Sequence, residues 1–356
     1  MEIKFSIFLS FFISLIISFL IIRLSIKFPW LVNSHDLKGV QKFHVDVTPR
    51  IAGISVFIGF FIGLWSINLP EGVYIFLLLA SLPVFIVGLL EDITAQVSPK
   101  YRMIATLVSI ASIFFWLDIG INFLGFEWID YYLSNYVVLS LLFTLFVVGG
   151  AVNAVNIIDG YNGLMIGYSI FVLLSIAYIS NIIGDGLTFQ LSLLLTFSML
   201  GLFVFNFPFG KIFMGDGGAY FVGFMMAVMG MMLAIRNEEV SHWFTLLLFI
   251  YPLYETAFSI YRKKIVRNIP SSQPDGHHLH MLIYKRLVKC KISKKNKILC
   301  NSMTSPFLWA LSLVGIIPAV VWYNNQTMLI IWAFIFMIIY TIIYRRIVHF
   351  KFKFKK

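Results

Sequence analysis

Charge is what this sequence has least of. Asp, Glu, Lys and Arg make up 12% of its 356 residues, where a soluble domain carries roughly 25%. Hydrophobic residues account for 60%, and the mean hydropathy is +0.91, so water is not the main solvent of this chain. Cysteine is nearly absent: Cys290 and Cys300 are the two in the chain, and they imply no disulfide framework. Both lie in one basic loop, and without a Cys-x-x-Cys pair they and the nearby His277, His278 and His280 make a poor structural zinc pattern. A long polar segment is missing too, the longest loop running from 262 to 303. That leaves no room for a nucleic-acid recognition fold, despite the net charge of +11.

What is present is long and apolar. Near-continuous apolar runs recur along the whole length at about the 20 residues a helix needs to cross a bilayer core. Only helices or closed barrels satisfy backbone groups there, and runs without period-2 alternation favour helices. The pattern predicts an all-α, polytopic membrane bundle, a single integral membrane domain over 1–356 with about eleven spans. They are placed at 5–22, 51–68, 73–90, 102–117, 137–155, 163–183, 188–207, 217–235, 242–261, 304–323 and 327–344. The first run reads as a retained span. It has only Lys4 as a positive flank, is too long for a signal-peptide core, and lacks a small-residue cleavage site before Arg23. With these spans every Lys and Arg except Lys4 and Arg236 falls on one side. The positive-inside bias then predicts an outside N-terminus and a cytoplasmic C-terminus. The basic stretch Tyr284 to Lys297 and the KFKFKK tail suit lipid headgroups.

The polar motifs all fall in loops of that same face. Lys42-Phe43-His44 precedes Thr48-Pro49-Arg50; Pro49 stiffens the chain before Arg50, and a fixed arginine suits phosphate, although a membrane-surface anchor explains it equally. Glu91 and Asp92 end the third span, followed by Pro99-Lys100-Tyr101-Arg102. Adjacent carboxylates at the end of an apolar helix need a cation or a proton, unless water simply covers the helix end. The segment NAVNIIDGYNGL holds Asn153, Asn156, Asp159 and Asn162 with Gly160 and Gly163, more amides than a plain turn needs and glycines that let backbone approach a ligand. Lys211 leads into KIFMGDGG, where glycines flank Asp216 and leave room for a hard cation; a helix N-cap is the alternative. His277, His278 and His280 close the series in the 262–303 loop, and from a turn the last two could converge on a phosphate.

In their order, these loops resemble the polyprenyl-phosphate N-acetylhexosamine-1-phosphate transferase superfamily, over nearly the whole stretch from Lys42 to His280. NAVNIIDGYNGL, KIFMGDGG and the His-x-His loop carry the resemblance. The span plan looks more like the branch acting on simpler UDP-amino sugars than the peptidoglycan-precursor branch. Two positions depart from the family's pattern: its adjacent aspartates are Glu91 and Asp92 here, and the second aspartate of its Asp-Gly-x-Asp-Gly-Leu loop is Asn162. An amide supplies neither a negative ligand nor a base.

The resemblance implies Mg²⁺-dependent transfer (Mn²⁺ being the alternative ion) of an N-acetylhexosamine 1-phosphate from a UDP-sugar to polyprenyl phosphate, at the cytoplasmic face of a bacterial plasma membrane. Such transfer depends mostly on positioning and charge neutralisation. It casts Asp216, with Asp92, as metal ligand; Asp92, Glu91, Asp159, His278 and His280 as catalytic; and Lys42, His44, Arg50, Asn153, Asn156, Asn162, Lys211 and His277 as substrate-binding. Expected partners are UDP-N-acetylhexosamine, polyprenyl phosphate and membrane lipids, with a homodimer allowed by family likeness alone. N-acetylglucosamine is the first choice of sugar. A secondary transporter is the alternative, predicting ionisable residues near span midpoints and internal repeats; a membrane phosphatase lacks its nucleophile motif.

Overall fold

The computed structural model describes residues 2–28, 48–67, 72–266, 268, 276–288 and 297–349, and every regular element among them is helical. The helices are α1 (Glu2–Lys27), α2 (Gly53–Trp65), α3 (Val73–Thr94), α4 (Pro99–Leu117), α5 (Glu127–Asn135), α6 (Val137–Ile157), α7 (Leu164–Ile183), α8 (Gly186–Asn206) and α9 (Gly215–Arg236). They continue as α10 (His242–Leu248), α11 (Ile250–Tyr261), α12 (Leu279–Ile283), α13 (Lys297–Ser302), α14 (Thr304–Val321) and α15 (Gln326–Val348). Short π-helical turns follow α11 and α12, at Arg262–Val266 and Tyr284–Val288.

Among the described residues 9 helices are long and apolar enough to cross a membrane, or 10 if the bent pair α10–α11 is one span. The expectation of about eleven differs at the segment 51–68. Its helix, α2, has 13 residues, which at 1.5 Å per residue covers roughly 20 Å, short of the hydrocarbon thickness.

Packing is inside-out, as lipid requires. Ser6, Ser10, Ser14 and Ser18, one per turn of α1, are fully buried, while Phe5, Phe8, Phe12 and Ile16 on the same helix are exposed. The small stripe lets backbones approach closely: Ser18 donates to Ser55 Oγ at 2.8 Å, and a Cβ on Gly201 of α8 would stand 2.5 Å from the Phe11 carbonyl. At the centre lies α9, apolar all round and buried over nearly its whole length, the pattern of a helix enclosed by others. The break between α10 and α11 turns the chain by 67°. Pro252 has no N–H to offer the Leu248 carbonyl four residues back, and the Tyr168 hydroxyl donates to that carbonyl instead, at 2.9 Å. Such substitution is how a broken helix is tolerated in a membrane.

Candidate active site at the N-terminus of the central helix

The start of α9 leaves four backbone N–H groups without helical partners. Asp92, at the end of α3, takes two of them: Oδ1 accepts from Asp216 N–H at 2.7 Å and Oδ2 from Gly217 N–H at 2.9 Å. Asp92 thus caps a helix 124 residues away in sequence. The glycines around Asp216 permit this close assembly. Gly215 has φ +76° and a Cβ there would overlap the Arg50 carbonyl, while a Cβ on Gly88 of α3 would fall 2.5 Å from Gly217 Cα. Sequence reasoning gave these glycines to cation access; the structure uses them for helix-to-helix contact. The segment before α2 joins the same junction, with Gly53 N–H donating to the Met214 carbonyl at 2.8 Å and Phe213 N–H to that of Pro49 at 2.9 Å.

Asp216 stands on this platform with its carboxylate between two other helices. Arg102 of α4 forms an ion pair with Oδ2, and Asn156 Nδ2 of α6 donates to Oδ1 at 3.2 Å. Arg102 and Asp216 are each only partly covered, at 19% and 18% exposure, so ligands can reach them. Tyr220 lies one turn further along α9, near enough to feel the charges of Asp216, Arg102, Glu91 and Asp92. Glu91 does a neighbouring job: its Oε2 accepts from Val97 N–H at 2.8 Å, closing the turn that delivers Arg102. Its extra methylene, a departure noted in the sequence, gives the reach for that bond.

Asp159 occupies the turn after α6. Loss of hydration pushes its carboxyl up to about 7, and the negative charge of Asp216 adds to the rise, while Arg50 pulls it down. The next residue, Gly160, carries the turn to the histidine loop: a Cβ there would lie 3.8 Å from His280 Nε2, and the Tyr161 and His280 rings meet edge to face at 5.7 Å. His278 and His280 stack with rings 5.2 Å apart and 5° from parallel. Behind them is Glu255 of α11, 1% exposed, whose Oε1 lies 3.1 Å from His278 Nδ1 and 3.8 Å from His280 Nδ1.

The structure therefore brings together Arg50, Asp92, Asn156, Asp159, Asp216, His278 and His280. Other predicted site residues lie apart. Asn153 bonds back to the Gly149 carbonyl of its own helix at 2.8 Å. Asn162 is 2% exposed and turns toward α13, its N–H donating to Asn301 Oδ1 at 2.7 Å and its Nδ2 to Ser302 Oγ at 2.9 Å. Lys211 lies over the Phe209 ring at 5.3 Å. His277 has an exposed side chain and contributes its carbonyl, which accepts from Arg262 at 2.5 Å. Lys42 and His44 lie outside the described residues. Sequence reasoning missed Arg102, Tyr220 and Glu255. A lone carboxylate inside an apolar run is a functional signal in itself, and Glu255 carried it.

A hard divalent cation fits this donor set. Among the described residues no group of three or more His, Cys, Asp or Glu is placed to hold a metal. Mg²⁺ does not need one, since it takes one or two carboxylates and completes its shell with waters and phosphates. The mutual repulsion of Asp159 and Asp216 is what a dication would relieve.

These features define a multi-pass membrane protein with a cluster of carboxylates and arginines at the buried start of its central helix. The model of glycosyl transferase family 4 matches residues 74–234, which hold Asp92, Arg102, Asn156, Asp159 and Asp216. Over those residues the sequence is that of a glycosyl transferase family 4 protein. Curated relatives agree at a distance. It is 29% identical over 84% of its length, and 81% of the relative's, to a probable undecaprenyl-phosphate N-acetylglucosaminyl 1-phosphate transferase of Bacillus subtilis. It is 26% identical to an undecaprenyl-phosphate alpha-N-acetylglucosaminyl 1-phosphate transferase of Thermotoga maritima, covering 70% of this chain and 73% of that one. A phospho-N-acetylmuramoyl-pentapeptide-transferase of Staphylococcus carnosus is 27% identical over 66% of this chain and 77% of its own.

Proposed function

We propose that this protein transfers an N-acetylhexosamine 1-phosphate from a UDP-sugar to polyprenyl phosphate, with Mg²⁺, and releases UMP. The observation that carries the reading is the meeting of Arg102, Asn156 and Asp92 on Asp216, with Arg50 and Asp159 beside it, at one end of a lipid-embedded bundle. The lipid nucleophile stays in the membrane and the nucleotide in water, and a site at helix ends serves both. The positive-inside bias of the chain supports a cytoplasmic site, and the bacterial relatives quoted support a bacterial plasma membrane as its setting. α6, α9 and the bent α10–α11 pair also enclose an apolar cavity of about 90 Å³, lined by Val148, Ala151, Met231, Phe249 and Leu253 among others.

In this reaction an oxygen of polyprenyl phosphate attacks the sugar-bound phosphorus of the UDP-sugar, a new P–O bond forms and the bond to UMP breaks. Asp216 would hold the metal, with Asn156 and Asp159 as further oxygen donors, and Asp92 fixes Asp216 by capping its helix. The ion supplies charge neutralisation for the diphosphate. Arg102 and Arg50 are the fixed cations for phosphate oxygens, and their rigid forks suit that geometry. The attacking phosphate monoester is mostly dianionic at pH 7, its second pKa being about 6, so a strong general base is unnecessary. Among sugars, N-acetylglucosamine is favoured by two of the three relatives quoted, those of Bacillus subtilis and Thermotoga maritima.

Purified protein incubated with undecaprenyl phosphate, Mg²⁺ and a panel of UDP-amino sugars should yield lipid-diphosphate-sugar and UMP in equal amounts. Folded protein that makes neither from any sugar would overturn the proposal. Asp159 sets a second expectation. Because burial and the charge of Asp216 raise its carboxyl to about 7 without the ion and the charged form is the useful one, kcat/KM at limiting Mg²⁺ should rise with pH along an acid limb, and saturating Mg²⁺ should move that limb to lower pH. Asp159→Asn should be slower and should lose that limb; a limb unchanged in the variant assigns it to another group.

A further inference from the structure

We propose that Glu255 is a positioning residue for the histidine pair: it holds a proton on Nδ1 of His278 and so fixes Nε2 as the atom presented to the substrate phosphates. The inference rests on the transferase reading only for what the histidines do, not for how they are held.

A glutamate inside an apolar helix is expensive unless its oxygens are satisfied. Glu255 finds its partners in the histidine loop. Oε1 accepts from Leu279 N–H at 2.7 Å and faces His278 Nδ1 at 3.1 Å, with His280 Nδ1 next nearest at 3.8 Å. Two helical turns further on, Arg262 donates to the His277 carbonyl, so one helix grips three consecutive residues, 277 to 279, with an acceptor below and a donor above. Tyr251 and Tyr340 stand beside the carboxylate and close it from water.

The chemistry follows from the two nitrogens of imidazole. A carboxylate accepts and never donates when ionised, so the nitrogen facing it must carry hydrogen, and the other nitrogen turns away with its role set. The parallel stack gives His280 the same orientation, and its Nε2 faces Gly160 beside Asp159. Carboxylate behind, imidazole between and reacting group in front is the logic by which a buried acid orients a histidine it does not itself replace.

Two measurements separate this role from simple anchoring. Long-range ¹H–¹⁵N spectra of histidine-labelled protein in detergent, with the His278 signals assigned by their loss in His278→Ala, should show protonated Nδ1 in the wild type. A neutral ring protonated only on Nε2 overturns the proposal whether or not the enzyme turns over. Glu255→Gln keeps an oxygen for Leu279 N–H but loses the charge, so pure anchoring predicts near wild-type behaviour. Positioning predicts instead a fall in kcat of about 10- to 100-fold with little change in KM for the UDP-sugar and an unchanged melting temperature. In a His278→Ala background the same substitution should then cost less than about threefold, since paired residues are not additive. Equal losses in both backgrounds, or none in the first, refute it. An inactive wild type with the expected spectrum condemns the transferase reading alone.

Discussion

Asp216→Asn should abolish Mg²⁺-dependent turnover and leave the protein folded. The substitution removes one charge and almost no volume. Asp216 does not cap its own helix; Asp92 does, through the backbone N–H groups of Asp216 and Gly217, so α9 begins in the same place in the variant. Asn156 can still bond the side-chain oxygen, and Arg102, being 19% exposed, retains access to water when its carboxylate is lost. Removing a single preorganised electrostatic group from a catalytic site costs about 100- to 1000-fold, and kcat/KM should fall by at least that much. Raising Mg²⁺ should not restore it, because the lost charge is the ligand's own. Near-normal turnover, or full rescue by excess metal, would remove Asp216 as the principal ligand.

Much of this site was legible in the sequence because a membrane separates residues so sharply. Hydrocarbon admits apolar side chains, so span order follows hydropathy, and Asp92, Asn156 and Asp216 stand out where runs end. Their convergence was implied by the family resemblance, but the form it takes was not legible. Asp92 reads as one of an adjacent acidic pair that needs a cation, whereas its partners are two backbone N–H groups at the start of α9. Backbone donors leave no mark in a sequence. The Gly215–Gly218 run likewise reads as space for an ion. It is space for α3 and for Gly53, and only the three-dimensional register of the helices says so. Glu255 and Arg262 lay in the ninth predicted span and at the start of the next loop, two turns apart, and their meaning depends on a loop that folds back onto them. Arg102 was noted beside Lys100 only as following the acidic pair, yet its partner is 114 residues on.

Asn162→Asp, which restores the family's usual residue, should destabilise the protein and should not raise activity. On the sequence alone Asn162 is a missing ligand. In the fold it is 2% exposed and faces away from Asp216, knitting the turn before α7 to the segment 298–305. Its side-chain amide donates to Ser302 Oγ, its backbone N–H to Asn301 Oδ1, and its carbonyl accepts from Ser305 Oγ at 2.6 Å. Ser302 in turn donates to the Pro208 and Ile298 carbonyls. An ionised aspartate cannot donate to Ser302. If the hydroxyl turned to serve it, those carbonyls would lose their donor. Burying an unpaired charge here costs about 3 kcal/mol. The pH dependence identifies the cause. Burial raises the carboxyl of the variant above its unfolded value of about 3.9, so the penalty is absent below that pH, where the acid is neutral and can donate as the amide does. It grows as pH rises toward the folded value. The gap in melting temperature between wild type and variant should therefore be wider at pH 8 than at pH 5, measured in one detergent with matched salt. A variant that melts with the wild type at both pH values and turns over faster would return position 162 to the substrate. The expected gap instead makes Asn162 the residue that this chain's own 298–305 segment requires.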